Sequence, residues 1–343
     1  MLYHNSRSPS TVTAPSHFAE FRADWDSINY SRSNHVLLDS DFVEPLIRNF
    51  GSPRLLFGLS GNSGRAMALV QSTAQGIWSS FQPSQAPIGM LLFGHDEDGE
   101  QIKGLLKSLP GYALQHSVLH QDPDYSAWPR SVASAGMEVL DYIDIARLTI
   151  TSSFEEYWSS RSSNLRHNLA RQRRRFCESG RRMEFVIRRR VDQVPAAVVE
   201  YGRLESQGWK SETGTAIAAN NAQGRFYTEV LEKFCARNET LIFQFLLDGV
   251  VAASDLCLVR NGMLVVLKTT YDETLKSLSP ALLLREDELQ WIFAQGNIHV
   301  VEFYGRVMDW HRKLTDDVRT MYHLNCYRHS WAPVIKRTLR RFQ

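Results

Sequence analysis

Short apolar runs, punctuated by Gly, Pro, Asn and Asp, follow one another in an order that predicts an α/β protein. Residues 39–50 read as a helix with Asp39 or Ser40 as N-cap. Residues 54–59 and 65–73 read as strands around a turn at 60–64, and 77–81 as a third strand. A loop, PSQAPIG (83–89), separates these from a further short element at Met90. Residues 101–109 predict a helix stopped by Pro110-Gly111, and 114–120 alternate as a strand with His116 and His120 on one face. Residues 139–150 form an apolar strand. Ser153 and Glu156 then have the spacing of a capping box, opening one helix whose stripe of Trp158, Leu165, Leu169 and Phe176 runs to Gly180.

The remainder repeats the plan. A strand at 184–190 and a helix at 194–207 lead to three strands, 241–247, 250–259 and 263–270, joined at Asp248-Gly249 and Asn261-Gly262. A loop with Ser279 and Pro280, a helix at 282–295, a strand at 299–304, a short helix at 308–315 and a strand at 318–327 follow. Both halves run strand, turn, strand, strand, then a loop with Ser and Pro, which predicts two copies of one α/β (α+β) fold. The domain organisation expected is a loosely ordered lead (1–35), a first domain (36–150), an arginine-rich helix with its connecting strand (151–190), a second domain (191–330) and a basic tail (331–343).

Charge adds one feature. The net charge of +2 conceals residues 161–190, where 11 arginines face only Glu178 and Glu184. This segment is a solvated helix face in the simplest reading, or a site for an anionic acceptor or nucleic acid. No apolar run approaches the roughly 20 residues of a membrane span, and nothing near the N-terminus has the form of a signal peptide. Peripheral contact through the basic tail stays open. Cys177, Cys235, Cys257 and Cys326 form no CxxC pair and read as buried thiols of a reducing compartment. A cytoplasmic protein without a metal is expected, since the His116/His120 spacing lacks supporting ligands.

Candidate chemistry gathers at strand ends. Lys268, Tyr271 and Asp272 lie at the exit of one strand, Tyr304 ends the next, and Trp310, His311 and Lys313 follow it. Glu205, Trp209 and Lys210 stand in LESQGWK. The loop before Leu282 would present the N–H groups of a helix start, which attract anions, with the Ser279 hydroxyl beside them. There is no G-x-x-x-x-G-K-[ST] and no G-x-G-x-x-G, which argues against those nucleotide-binding types and leaves a pyrophosphate such as that of coenzyme A.

LESQGWKSETGTAI (204–217), FYTEVLEKF (226–234), LKTTYDETLKSLSPALLL (267–284) and FYGRVMDWHRKLT (303–315), with PSQAPIG and NLRHNLARQRRRF (164–176), occur in an order that resembles the CelD-like acetyltransferases linked to cellulose biosynthesis. These are GNAT-superfamily proteins related to FemAB peptidyltransferases. The resemblance spans about residues 20–330. It implies tandem GNAT-like domains with mixed, mostly antiparallel sheets. It also implies direct acyl transfer from acetyl-CoA or another acyl-CoA to an amine or hydroxyl of a small or saccharide-linked acceptor, in exopolysaccharide or envelope biosynthesis. On that reading Glu205 or Asp272 is the base and Tyr304 the acid to the thiolate. Lys268, Ser279, Pro280, Ala281, Leu282 and Leu283 hold the donor, and Trp209, Lys210, Tyr271, Trp310 and Lys313 contact substrate. The family's opening loop commonly reads Ser-Pro-Gly; here alanine stands third, at Ala281. Two alternatives stay open: a FemAB-like transferase using aminoacyl-tRNA, and an inactive GNAT-like scaffold.

Overall fold

The computed structural model describes residues 10–60, 66–93, 100–126, 136–206, 217–218 and 220–333. The chain divides into two units, residues 1–144 with 319–343, and residues 145–318.

In the first unit, β1 (Thr11–Thr13), α1 (Arg22–Arg32) and α2 (Ser40–Phe50) precede the main strands. Residues 11–32 are therefore not the loose lead expected from sequence. Phe18 and Trp25 are buried, and Trp25 Nε1 donates to the Leu38 carbonyl at 2.6 Å, so a polar-looking stretch is pinned by two aromatic anchors. Asp39 is the N-cap of α2, its carboxylate accepting the Asp41 N–H. There follow β2 (Leu55–Ser60), β3 (Ala66–Ala74), β4 (Ile77–Ser80), β5 (Leu91–Phe93), α3 (Glu100–Ser108), β6 (Gln115–Gln121) and β7 (Met137–Thr149). Strands β2, β3 and β4 are antiparallel neighbours, β5 pairs β3, and β6 runs parallel to β4. His116 and His120 do not form a pair on one face. His120 adopts a left-handed backbone (φ 48), which breaks the alternation. His116 is fully buried, whereas His120 stacks on Tyr142 and His323.

The chain enters the second unit along β7 and continues through α4 (Phe154–Ser160), α5 (Ser163–Glu178), β8 (Met183–Arg188), α6 (Val194–Ser206), α7 (Ala222–Cys235), β9 (Thr240–Leu247), β10 (Val250–Arg260), β11 (Met263–Tyr271), α8 (Pro280–Gln295), β12 (Val300–Arg306) and α9 (Asp309–Leu314). A last strand, β13 (Val318–Tyr327), pairs antiparallel with β6. Ser153 and Glu156 do form the expected capping box. The single helix read from 153 to 180 is nevertheless two helices, because Ser162 caps a second one by accepting the Leu165 N–H. Both β9–β10 and β10–β11 turns have positive φ at each central residue, at Asp248-Gly249 and Asn261-Gly262, as two-residue hairpins of this hand require.

The second unit's sheet runs β8, β9, β10, β11, β12, then the end of β7, and it is antiparallel except at β11–β12. All eight residues of β9 are buried, the polar Thr240 and Gln244 among them, and the rest of the strand is apolar. Leu165, Leu169 and Phe176 of α5 join the core formed with α8 and the sheet, which places the arginine-rich helix within this unit. Cys235, Cys257 and Cys326 are buried, but Cys177 on α5 is exposed. Among the described residues no helix is long and apolar enough to cross a membrane. Both units share an order of antiparallel strands, a helix and a strand returning parallel to the last of them. The fold is a mixed, mostly antiparallel α/β arrangement in tandem.

Candidate functional site

The parallel pair β11–β12 opens as it proceeds. Met263, Leu264 and Val265 pair with Val300, Val301 and Glu302, and no further β11–β12 pair forms. Beyond that point β11 continues to Tyr271, and its last residues, Thr269, Thr270 and Tyr271, line a cavity of about 490 Å³. Glu205 of α6, Ser279 to Leu282, Arg285 of α8, and Trp310 and Lys313 of α9 complete much of the wall.

The loop between β11 and α8 explains the start of that helix. Asp272 caps a short 3₁₀ turn by accepting from the Thr274 N–H and hydroxyl. Ser279 then takes a left-handed conformation, φ 57 and ψ 44, and its side chain makes no capping bond to α8. Pro280 occupies the first helical position, where its missing N–H costs nothing. The helix therefore begins without a side-chain cap at the cavity wall, and its first-turn amides and dipole favour negative charge there. The position that demands unusual backbone is Ser279. Ala281 lies inside α8 and has no positive φ, so no glycine is required at that place for conformation.

Glu205 is 3% exposed and held at both oxygens. Oε1 accepts from Lys268 Nζ at 2.8 Å, and Oε2 accepts the Ile217 N–H at 2.8 Å. The ammonium of Lys268 also faces the rings of Tyr201 and Tyr227, at 5.8 and 5.4 Å from their centroids. Burial, reinforced by the nearby Glu205 charge, pushes both tyrosine hydroxyls above their ordinary value, so both stay neutral.

Arg285, in the cavity wall, belongs to a buried charge cluster. Arg285 contacts Asp255 Oδ2 at 2.5 Å and Glu288 Oε2 at 2.7 Å, and its guanidinium centre lies 5.2 and 5.6 Å from the Phe303 and Trp310 ring centroids. Burial raises the Glu288 carboxyl well above the usual range. Asp255 raises it further while Arg285 opposes, and the direction favours a protonated Glu288.

The structure brings together Glu205, Tyr271, Ser279, Pro280, Ala281, Leu282, Trp310 and Lys313 around one cavity. Lys268 sits one step back, on Glu205. Asp272, Tyr304 and Leu283 are not among the lining residues: Asp272 is a cap, Tyr304 is buried, and Leu283 packs in the core. Trp209 and Lys210 lie outside the described residues. Sequence reasoning missed Lys276 and Arg285, both of which line the cavity. For Arg285 a signal existed, since Asp255 is a charge inside an otherwise apolar strand and demands a buried partner. Among the described residues there is no cluster of His, Cys, Asp and Glu able to hold a metal ion.

Comparison with known proteins finds a family that matches the stretch around this cavity. Residues 163–312 match the GNAT acetyltransferase domain family, a stretch that holds every residue named in the cavity except Lys313. Solved structures of similar fold include the C-terminal domain of a protein assigned as a lysylphosphatidylglycerol synthetase from Agrobacterium fabrum (14% identity, TM-score 0.59, covering 93% of this chain and 95% of that one). L-PGS of Bacillus licheniformis is also similar (13% identity, TM-score 0.57, covering 93% of this chain and 96% of that one), as is FemX (9%, TM-score 0.57, 92% and 97%). At these identities the likeness concerns the fold. No curated protein matches the chain.

Proposed function

We propose that the second unit is an acyltransferase of GNAT type that uses acyl-CoA. The observation that carries the reading is the divergence of β11 from β12 beside the uncapped start of α8. An extended thioester arm fits between the strands, and its pyrophosphate meets the helix dipole together with Lys276 and Lys313.

In the reaction an acceptor nitrogen or hydroxyl oxygen attacks the thioester carbon. The new bond forms as the C–S bond breaks, and the thiolate leaves with the electron pair. The acceptor's proton passes to Glu205 directly or through one water. Glu205 is preferred over Asp272 because it lines the cavity and its orientation is locked by two hydrogen bonds, while Asp272 is engaged as a cap. Tyr271, at the end of β11, is better placed than Tyr304 to protonate the thiolate. Most of the rate comes from holding donor and acceptor together. The resemblance to CelD-like proteins suggests a saccharide-linked acceptor in envelope or exopolysaccharide biosynthesis.

A second reading is aminoacyl transfer from tRNA. The structural likeness to FemX, to L-PGS and to the domain assigned to a lysylphosphatidylglycerol synthetase favours it. So does the face of α5, where Arg171, Arg174 and Arg175 are exposed. Calorimetric titration of the full chain with acetyl-CoA separates the two. Saturable binding in the micromolar range supports the acyl-CoA reading. No binding, with aminoacyl-tRNA retained on a filter, supports the other.

A further inference from the structure

The first unit contains the counterpart of the opening strands, and its own chain fills it. In the second unit three parallel pairs between β11 and β12 precede the cavity. In the first, three parallel pairs likewise join β4 to β6: Ile77 with Gln115, Trp78 with His116, and Ser79 with Ser117. There β4 stops at Ser80, while β6 runs on to Gln121. The chain then leaves the sheet for residues 81–90 and rejoins it as β5, which takes up pairing with β3 at Ala66, Met67 and Ala68.

The last residue of β4 and the segment that follows it lie against the end of β6, beyond the last β4–β6 pair. The Leu119 N–H donates to Ser80 Oγ at 2.9 Å, and the Gly89 N–H donates to the His120 carbonyl at 3.2 Å. On its other side the segment is tied to β3, where the Leu69 N–H donates to the Met90 carbonyl at 3.1 Å. Phe81, Ala86, Ile88 and Met90 are buried. The Gln82 side-chain amide braces the turn from within, donating to the Ala86 and Ile88 carbonyls. Gly89 is a close-approach position: a Cβ there would meet the Leu119 carbonyl oxygen at 2.5 Å. Backbone groups of β6 that a ligand would otherwise satisfy are thus satisfied by protein.

We infer that each chain holds a single acyl-donor site, in the second unit, because residues 81–90 occupy the equivalent gap of the first. This rests on the reading of the second unit's cavity as the donor site. One further fact agrees. A cavity near the plugged gap is about 200 Å³ and is lined in part by the plug itself, at Ile88 and Gly89.

Hydrogen exchange on the full chain, with and without saturating acetyl-CoA, tests the inference alongside the calorimetric stoichiometry. The expected result is one site per chain, with exchange slowed roughly tenfold or more in peptides covering 266–284 and unchanged in those covering 81–92 and 115–121. Two sites per chain, or slowing in the first-unit peptides, would overturn the inference while leaving the acyl-CoA reading intact. Absence of both heat and slowing anywhere would overturn that reading, and the inference with it.

Discussion

Lys268 Nζ lies 2.8 Å from Glu205 Oε1, so the carboxylate proposed as base is anchored by a partly buried cation as well as by the Ile217 N–H. Glu205→Gln preserves the size of the side chain and an oxygen to accept from Ile217, but removes the proton acceptor. The expected outcome is a fall in kcat of about 10²–10⁴-fold with donor affinity unchanged, measured by thiol release from acetyl-CoA in the presence of an acceptor. Full activity in the variant would remove Glu205 from the role of base.

Gly202 links the same carboxylate to packing. A Cβ at this position of α6 would meet the Ile217 carbonyl oxygen at 2.4 Å, against backbone that cannot swing aside as a side chain can. Gly202→Ala is therefore expected to push Ile217 away, lengthen its bond to Glu205 and lower both Tm and kcat. Alanine is the better helix former by about 1 kcal/mol, so a rise in Tm would show that the contact yields easily.

The Asp255–Arg285–Glu288 cluster predicts a contrast between single and concerted replacement. Arg285→Met leaves Asp255 buried without its cation and should cost about 3–5 kcal/mol in denaturant unfolding. The triple variant Asp255→Leu, Arg285→Met, Glu288→Met replaces all three buried polar groups with apolar ones and should recover most of that loss. If the triple variant is as unstable as the single one, the cluster does more than balance its own charges.

Two buried groups give stability opposite pH dependences. Burial lowers His116 from 6.5 to about 4, and both ring nitrogens lack a hydrogen-bond partner among the described residues. The unfolded chain gains this proton first, so stability present above pH 6.5 is lost as pH falls towards 4, by about 3 kcal/mol at most. Glu288 is raised above its ordinary 4.5, so its contribution is complete below pH 4.5 and is lost as pH rises. Denaturant unfolding at several pH values should show the acid-side slope flattened in His116→Leu and the alkaline-side slope flattened in Glu288→Gln. Unchanged slopes in both variants would assign the pH dependence to other groups.

Local signals made much of the candidate site legible. Pro280 after a β-rich run, with a leucine-rich segment behind it, marked the strand, loop and helix start correctly. The hairpin turns at Asp248-Gly249 and Asn261-Gly262 were equally plain, since few residues accept positive φ at both positions. What escaped was non-local. Arg285 reads as a surface charge until Asp255, from a strand 30 positions earlier in the chain, is folded against it. Most of the plug, residues 83–89, read as a plain loop, because its burial depends on β6, which comes later in the chain. The break between α4 and α5 was hidden by an apolar stripe that continues across it, although Ser162 carried the capping signal. Trp25, in a segment of Ser, Asn and Arg, was overlooked for want of any periodicity.

The central claim is that the opening between β11 and β12, closed off by Ser279 and Pro280, holds the acyl donor. It is tested most directly by titrating acetyl-CoA into the wild type and into Pro280→Glu, which places a negative charge at the first position of α8 without needing a backbone N–H. The account predicts micromolar binding in the wild type and its loss in the variant, both proteins melting cooperatively. Binding of equal strength in the variant would contradict it, since the donor would then lie away from the start of α8.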